Sequence, residues 1–410
     1  MLPNPWITIA IVTLTLIGIA VGRYPIIKSN RTTIALMGVA LLVVFGQVRF
    51  EELPTYFDFN TLILLFSMMI INANLKLAGL FSLAGRWLVH LARTPRTLLA
   101  LEILLVGLLS ALFLNDTICL MFTPFVLALM DRLKRNPIPY LIALATAANV
   151  GSTATLTGNP QNMIVGIASG IPYLNFTLAL APVALLGMGV IWLVVVRLYP
   201  RDFRAEAFDV PAGDLGEEIS TGLLLKTGLI TLGLLVAFLV GVPIALAAFI
   251  AASLLLVTRR HMPQMVFAEF DWSLLVFFAA LFVVSGSLET SGVTRDLVDL
   301  QGLAQRANVW NLSVLSAVLS NLVSNVPAVL LLKPLVAGMP NARAGWLTLA
   351  ASSTLAGNLT LLGSVANLIV AETASRWRVD LSFWEYTRSG LLITLVTLLI
   401  AALWLSLGLF

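Results

Sequence analysis

The chain has 410 residues, 59% hydrophobic and 11% charged, with 24 Lys and Arg against 20 Asp and Glu and a net charge of +4. Soluble domains carry about 25% charged residues, so an ordinary water-soluble enzyme is excluded, and a small positive charge spread over the ends of apolar stretches gives no sign of nucleic-acid binding. The single cysteine, Cys119, excludes an internal disulfide and a multi-thiolate metal site, while His90 and His261 fall at predicted helix ends and form no buried cluster.

Apolar runs of about 20 residues, enough to cross a bilayer, begin with the first segment. Residues 5–22 have no basic residue before them and no small-residue cleavage pattern after them, and so read as a retained spanning helix. Further spans are expected near 32–48 and 60–79, then an amphipathic interfacial arm at 80–93. Two apolar pieces follow, 97–114 and 117–133, split by the polar tip Asn115-Asp116-Thr117. This pair reads as a re-entrant hairpin, whose tip has to be buried in protein or line a wet cavity. The segment 139–169 is interrupted by glycine, threonine and asparagine and reads as a broken helix; a span at 173–199 and a solvated connector at 200–221 close the first half.

The second half takes the same order. Spans are expected near 222–241, 243–258 and 272–290, with an arm at 294–307. A hairpin of 310–323 and 326–338 around Ser324-Asn325 comes next, then a broken helix at 343–374 and a last span at 384–409. Both breaks carry one motif, T-L-T-G-N-P-Q-N-M-I-V at 155–165 and T-L-L-G-S-V-A-N-L-I-V at 360–370, so Thr155, Leu156, Gly158, Asn162, Ile164 and Val165 recur 205 positions on. Asp58, Leu75 and Gly79 recur 213 positions on as Asp271, Leu288 and Gly292, and Ser110, Asn115 and Pro124 recur 210 positions on as Ser320, Asn325 and Pro334. Two related halves, 1–210 and 211–410, are therefore expected. Five spans per half is an odd number, which inverts the second half relative to the first. With both termini outside, 18 of the 24 basic residues fall on the cytoplasmic side; Arg49, Arg295, Arg306 and Arg343 fall outside, and Lys76 and Lys333 within spans. That asymmetry follows the positive-inside rule. The expected fold is an all-α polytopic membrane protein of two inverted repeats, about ten transmembrane helices, two re-entrant hairpins and two broken helices.

A polar interruption repeated in both halves of a membrane chain points to a transporter's binding site at the midplane. The first hairpin offers Asn115, Asp116 and Thr117, and the first break Ser152, Thr153, Thr155, Thr157, Gly158, Asn159 and Asn162. The second hairpin offers Asn321, Ser324 and Asn325, and the second break Asn358, Thr360, Ser364 and Asn367. Each break is expected to meet its own hairpin at one shared site. Broken helices present free N–H groups to anions or oxyacids and free carbonyls to Na⁺. Asp116, a carboxylate at membrane depth, is the candidate proton-coupling residue, its alternative being a cap on the helix after the tip. Its counterpart in the second half is Val326. Glu102 is expected near the surface, Cys119 in packing, and Lys76 and Glu289 as boundary charges. For Lys333 two roles stand, neutralising an anion or snorkelling to the interface.

The pattern N-D-T-x-x-x-x-x-T-P, then G-N-P-Q-N-M-I-V-G, then S-N-V-P, then G-N-L-T-L-L-G-S-V-A-N-L-I-V resembles the ion-transporter superfamily over nearly the whole chain. The N-D-T tip and the closing stretch with Glu372 and Trp384 look most like its arsenite/antimonite permeases. The resemblance implies a scaffold and a moving transport domain working as an elevator, driven by a proton or sodium gradient without a cofactor or resident metal. It implies arsenite or antimonite efflux by proton antiport, the alternative being Na⁺- or H⁺-coupled symport of a small anion. The tips L-N-D-T and S-N-V depart from the paired S-N-T of divalent-anion symporters, and no arginine lies in the site to clamp a dicarboxylate. Expected partners are the bilayer, a small inorganic or organic oxyacid and a coupling ion, with a homodimer as the candidate assembly and an inner (cytoplasmic) membrane as the location. A channel and an enzyme are the disfavoured classes, since paired breaks suit alternating access and no nucleophile–base pair is present.

Overall fold

The computed structural model describes residues 4–21, 30–204, 219–257, 263–291 and 300–408. Arg23, Lys28, Arg259, Arg260, His261, Gly292 and Arg295, residues 294–299 of the second arm and 205–218 of the connector lie outside the described residues. Among the described residues every regular element is helical.

The first half runs through α1 (Pro5–Val21), α2 (Arg31–Val44), a 3₁₀ turn (Phe50–Tyr56), α3 (Phe59–Leu77) and α4 (Leu80–Leu91). Next come α5 (Pro95–Leu112) and α6 (Asn115–Leu133), joined by two residues, then α7 (Ile138–Ser152), α8 (Pro160–Ser169) and α9 (Tyr173–Leu198). The second half runs through α10 (Thr221–Leu239), α11 (Ile244–Leu256), α12 (Pro263–Ala268), α13 (Trp272–Thr290) and α14 (Leu300–Arg306). It closes with α15 (Val309–Val323), α16 (Asn325–Ala337), α17 (Ala342–Ala356), α18 (Val365–Arg376) and α19 (Phe383–Ser406). Six of these, including α5, are long and apolar enough to cross a membrane. On α10 the exposed Leu225, Leu229, Leu232 and Val236 form one apolar stripe, a face that water would not tolerate and lipid does.

Local chemistry explains several starts. Asp58 accepts the Thr61 amide at 3.2 Å before α3, and Asp271 accepts the Ser273 amide at 3.1 Å before α13. These aspartates recur at matched positions because both are N-caps. A Thr94–Thr97 capping box and Pro95 begin α5. Asp116 is not a cap: α6 starts at Asn115, and Leu114 in the cap position makes no side-chain bond.

The helices fall into two groups, each drawing on both halves of the chain. In one, α3 packs on α11, α2 on α13 and α1, and α10 on α11. In the other, α7 packs on α5, α6 and α9, α17 on α15, α16 and α19, and α9 on α19. Every residue of α7 from Pro139 to Ser152 is buried, the polar Thr146, Asn149 and Ser152 included, which puts this helix at the centre of its bundle. The first helix of each broken pair lies on its own hairpin, as expected. The second does not: α18 packs chiefly on α6 of the first hairpin, and α8 on α16 of the second. The breaks let each pair reach across to the other half. Glu102 also differs from expectation. It is 1% exposed on α5, with neither carboxyl oxygen hydrogen-bonded, because the α5 face that carries it is covered along its length and has no surface to reach.

Candidate functional site

Breaking a helix in a membrane frees carbonyls that lipid cannot satisfy. Here an asparagine in the first turn after each break answers them. Asn162 Nδ2 donates to the carbonyls of Ser152 (3.1 Å) and Thr155 (2.8 Å), and Asn367 Nδ2 to those of Gly357 (2.8 Å) and Thr360 (3.1 Å). Donor and both acceptors are each offset by 205 positions, so the repeated motif is a repeated hydrogen-bond device. Each restart helix is capped by the residue before it: Asn159 accepts the Asn162 amide (2.9 Å), and Ser364 the Ala366 amide (3.3 Å). The glycines serve close approach and not a left-handed turn. A Cβ on Gly158 would lie 2.5 Å from the Ser152 carbonyl and 2.8 Å from that of Ser110, and one on Gly363 2.8 Å from the Gly357 carbonyl.

Asn149, one turn before the first break, joins the two breaks. Its Nδ2 donates to Oδ1 of Asn358 (2.9 Å) and of Asn367 (3.1 Å), and its Oδ1 accepts from Asn115 Nδ2 (3.0 Å) and Ser364 Oγ (3.1 Å). Asn115 also donates its backbone N–H to the Gly158 carbonyl (3.0 Å), which seats the first tip on the first break. On the other side, Asn159 Nδ2 donates to Ser152 Oγ (2.9 Å) and Thr354 Oγ1 (3.3 Å), and Gln161 Nε2 donates to the same threonine (3.1 Å). Thr354 stands 205 positions after Asn149. Each of these two residues is thus met by the cap residue of the opposite half, Ser364 or Asn159. Thr153 donates to the Asn149 carbonyl (3.1 Å), Thr155 to the Ala111 carbonyl, and Thr157 lies 3.4 Å from the Tyr173 hydroxyl.

Asn149, Thr354 and Gln161 escape a motif comparison because Asn149 and Thr354 differ in type and Gln161 has no polar counterpart (Ala366). The usable signal was position: a buried amide one helical turn ahead of the break.

The rest of the expected set lies around this hub. Asn321 Nδ2 ties hairpin two to the Ala356 carbonyl at 3.0 Å. Ser324 takes φ 78° and ψ 161° between α15 and α16, a region held almost only by glycine. The Oδ1 atoms of Asn115, Asn162, Asn321 and Asn325 are buried without a partner. Asp116 and Thr117 point elsewhere. They line a cavity of about 150 Å³ between the first tip, α3 and the starts of α13 and α18, where Asn72 Nδ2 lies 3.4 Å from Thr117 Oγ1. Lys76 at its edge pairs with Glu269 at 2.5 Å.

A second cavity, of about 330 Å³, occupies the repeat-related position. Met69, Asn72, Ala73 and Lys76 line the first; Phe282, Ser285, Gly286 and Glu289, each 213 positions on, line the second. Leu120 and Leu330, and Ile369 and Ile164, correspond in the same way. Lys76 and Glu289, expected as boundary charges, are therefore cavity residues, because each lies in the last turns of a helix that faces a hairpin.

Comparison with known proteins agrees with this architecture. A family model described as citrate transporter matches residues 16–356. The chain is similar to an uncharacterised transporter of Mycobacterium bovis, 34% identical over 96% of this chain and 97% of that protein. It is similar to a silicon efflux transporter of Oryza sativa subsp. japonica, 33% identical over 91% of each chain. A Dictyostelium discoideum transporter named arsB is 23% identical over 97% of this chain and 91% of that one. Among solved structures, the YdaH transporter of Alcanivorax borkumensis shares the fold, with TM-score 0.57 and 16% identity over 99% of both chains.

Proposed function

The chain belongs to the citrate transporter family, and from that premise we propose that this multi-pass membrane transporter exports arsenite or antimonite in exchange for protons. The carrying observation is the site's chemistry. Amides and hydroxyls converge on the hub, the neighbouring lysine is paired with Glu269, and Asp116 opens into the cavity beside both restart helices. Arsenite near neutral pH is largely the uncharged trihydroxide, which amides and hydroxyls hold by hydrogen bonds without a cationic clamp. Silicon in water is likewise mostly an uncharged hydroxy acid, so the relative named for silicon efflux supports the same ligand class.

Asp116 carries the proton in this reading, and substrate release to the outside follows its protonation from that side. The group of α5 to α9 and α15 to α19 moves against the group of α1 to α3, α10, α11 and α13, as an elevator does. Halves 1–210 and 211–410 are inverted repeats, and the chain sits in a cytoplasmic membrane with both termini outside. Inside-out vesicles test the reading. A lumen more acid than the bath should drive labelled arsenite inward, since the lumen then stands for the cell exterior. Uptake of citrate or succinate under the opposite gradient, with the bath acid or Na⁺-rich, and with arsenite excluded, would replace this reading by symport of a small anion.

A further inference from the structure

The two repeat-related cavities carry exchanged charges across the same boundary between helix groups. In the first, α3 brings Lys76 and the hairpin brings Asp116; in the second, α13 brings Glu289 and the hairpin limb α16 brings Lys333. We propose that Glu289 and Lys333 are positioning residues that gate the second cavity, their attraction drawing hairpin two onto α13 and closing the external approach to the site. This rests on the transport reading and its topology, which places the cavity on the outer face.

Three observations single out this pair. First, Lys333 is not needed for helix structure: its counterpart 210 positions earlier is Thr123, which merely bonds back to the Cys119 carbonyl at 2.6 Å. The Lys333 side chain is half-buried in the cavity lining, together with Leu330 of the same limb. Second, the other carboxylates of the cavity are engaged. Glu52 faces Arg49 at 3.7 Å, and Asp58 takes the Thr61 amide at 3.2 Å and hydroxyl at 2.7 Å. Among the described residues, Glu289 and Lys333 have no ion pair. Third, the two charges sit on elements from different helix groups, so any relative movement of those groups changes their separation. Lys333 is half-buried and Glu289 exposed in the lining of this cavity of about 330 Å³.

The test reads access and not flux, so it stands apart from the identity of the substrate. Ile164 lines the cavity from the hairpin side. In an I164C variant on a C119A background, labelling by a membrane-impermeant maleimide from the external face reports how often the cavity opens. Glu289→Gln and Lys333→Gln should each raise the labelling rate at least threefold, and the exchanged pair E289K/K333E should bring it back toward the starting rate. The double variant E289Q/K333Q should label no faster than either single one, because removing one partner already abolishes the interaction. Unchanged rates in both single variants, additive rates in the double one, or labelling only from the cytoplasmic face would overturn the gate. Failure of arsenite transport with this labelling pattern intact would refute the substrate and leave the gate in place.

Discussion

Asn149 uses the whole capacity of its amide: two N–H groups donate and both lone pairs of Oδ1 accept. Side-chain hydrogen bonds between membrane helices average about 0.6 kcal/mol, so removing four costs on the order of 2 kcal/mol, before the desolvated partners are counted. Asn149→Ala should therefore lower the thermal midpoint in detergent, and Asn149→Asp should lower it as much. The aspartate has the same size, but it turns an acceptor toward Asn358 and Asn367 Oδ1 and loses both donors. A normal midpoint for Asn149→Asp would show that the hub is not assembled as described. Ser324 offers the opposite case. Its backbone conformation costs a non-glycine residue about 1–3 kcal/mol, so Ser324→Gly should raise the midpoint by about 1 kcal/mol of stability, and a fall would contradict the strained tip. Such strain at a candidate ligand site is where a local sequence rule is expected to break.

At the scale of elements, the close seating of each break is the most exposed feature. Gly158→Ala drives a Cβ against two backbone carbonyls that belong to α5 and the break itself, and overpacking of this kind costs typically 1–3 kcal/mol. Gly228→Ala on α10, where a Cβ meets nothing within 4 Å, should be neutral or mildly stabilising. Melting curves of both variants separate close approach from a general effect of glycine. Most elements were readable from the sequence, because apolar length and polar interruption are local properties: the hairpin limbs 97–114 and 117–133 became α5 and α6, and the broken helix 139–169 became α7 and α8. What the sequence did not reveal was relational. That α8 reaches the other half's hairpin, that Glu102 is enclosed, and that Asp116 faces α3 in place of the amide hub all depend on packing between distant segments. Asn149 was missed for the same reason, as three of its four partners lie more than 200 positions away.

For the whole molecule, the proposed inversion of the two halves makes a simple forecast. Lys134 lies exposed between α6 and α7, and Pro340 exposed between α16 and α17. Cysteine placed at 134 should react with an impermeant reagent only from the cytoplasm, and at 340 only from outside; reaction of both from one side would remove the inverted arrangement. The exchanged charges of the two cavities fit such an arrangement, since each membrane face then has its own approach to a shared hub. Coupling is the claim on which the functional reading turns, and Asp116 has no carboxylate counterpart in the second half. The most direct measurement compares wild type with Asp116→Asn in inside-out vesicles, following labelled arsenite both under an acid-lumen gradient and in gradient-free exchange. Loss of the pH-driven uptake by at least tenfold with exchange retained is the expected result, whereas pH-driven uptake equal to wild type would remove Asp116 from the mechanism.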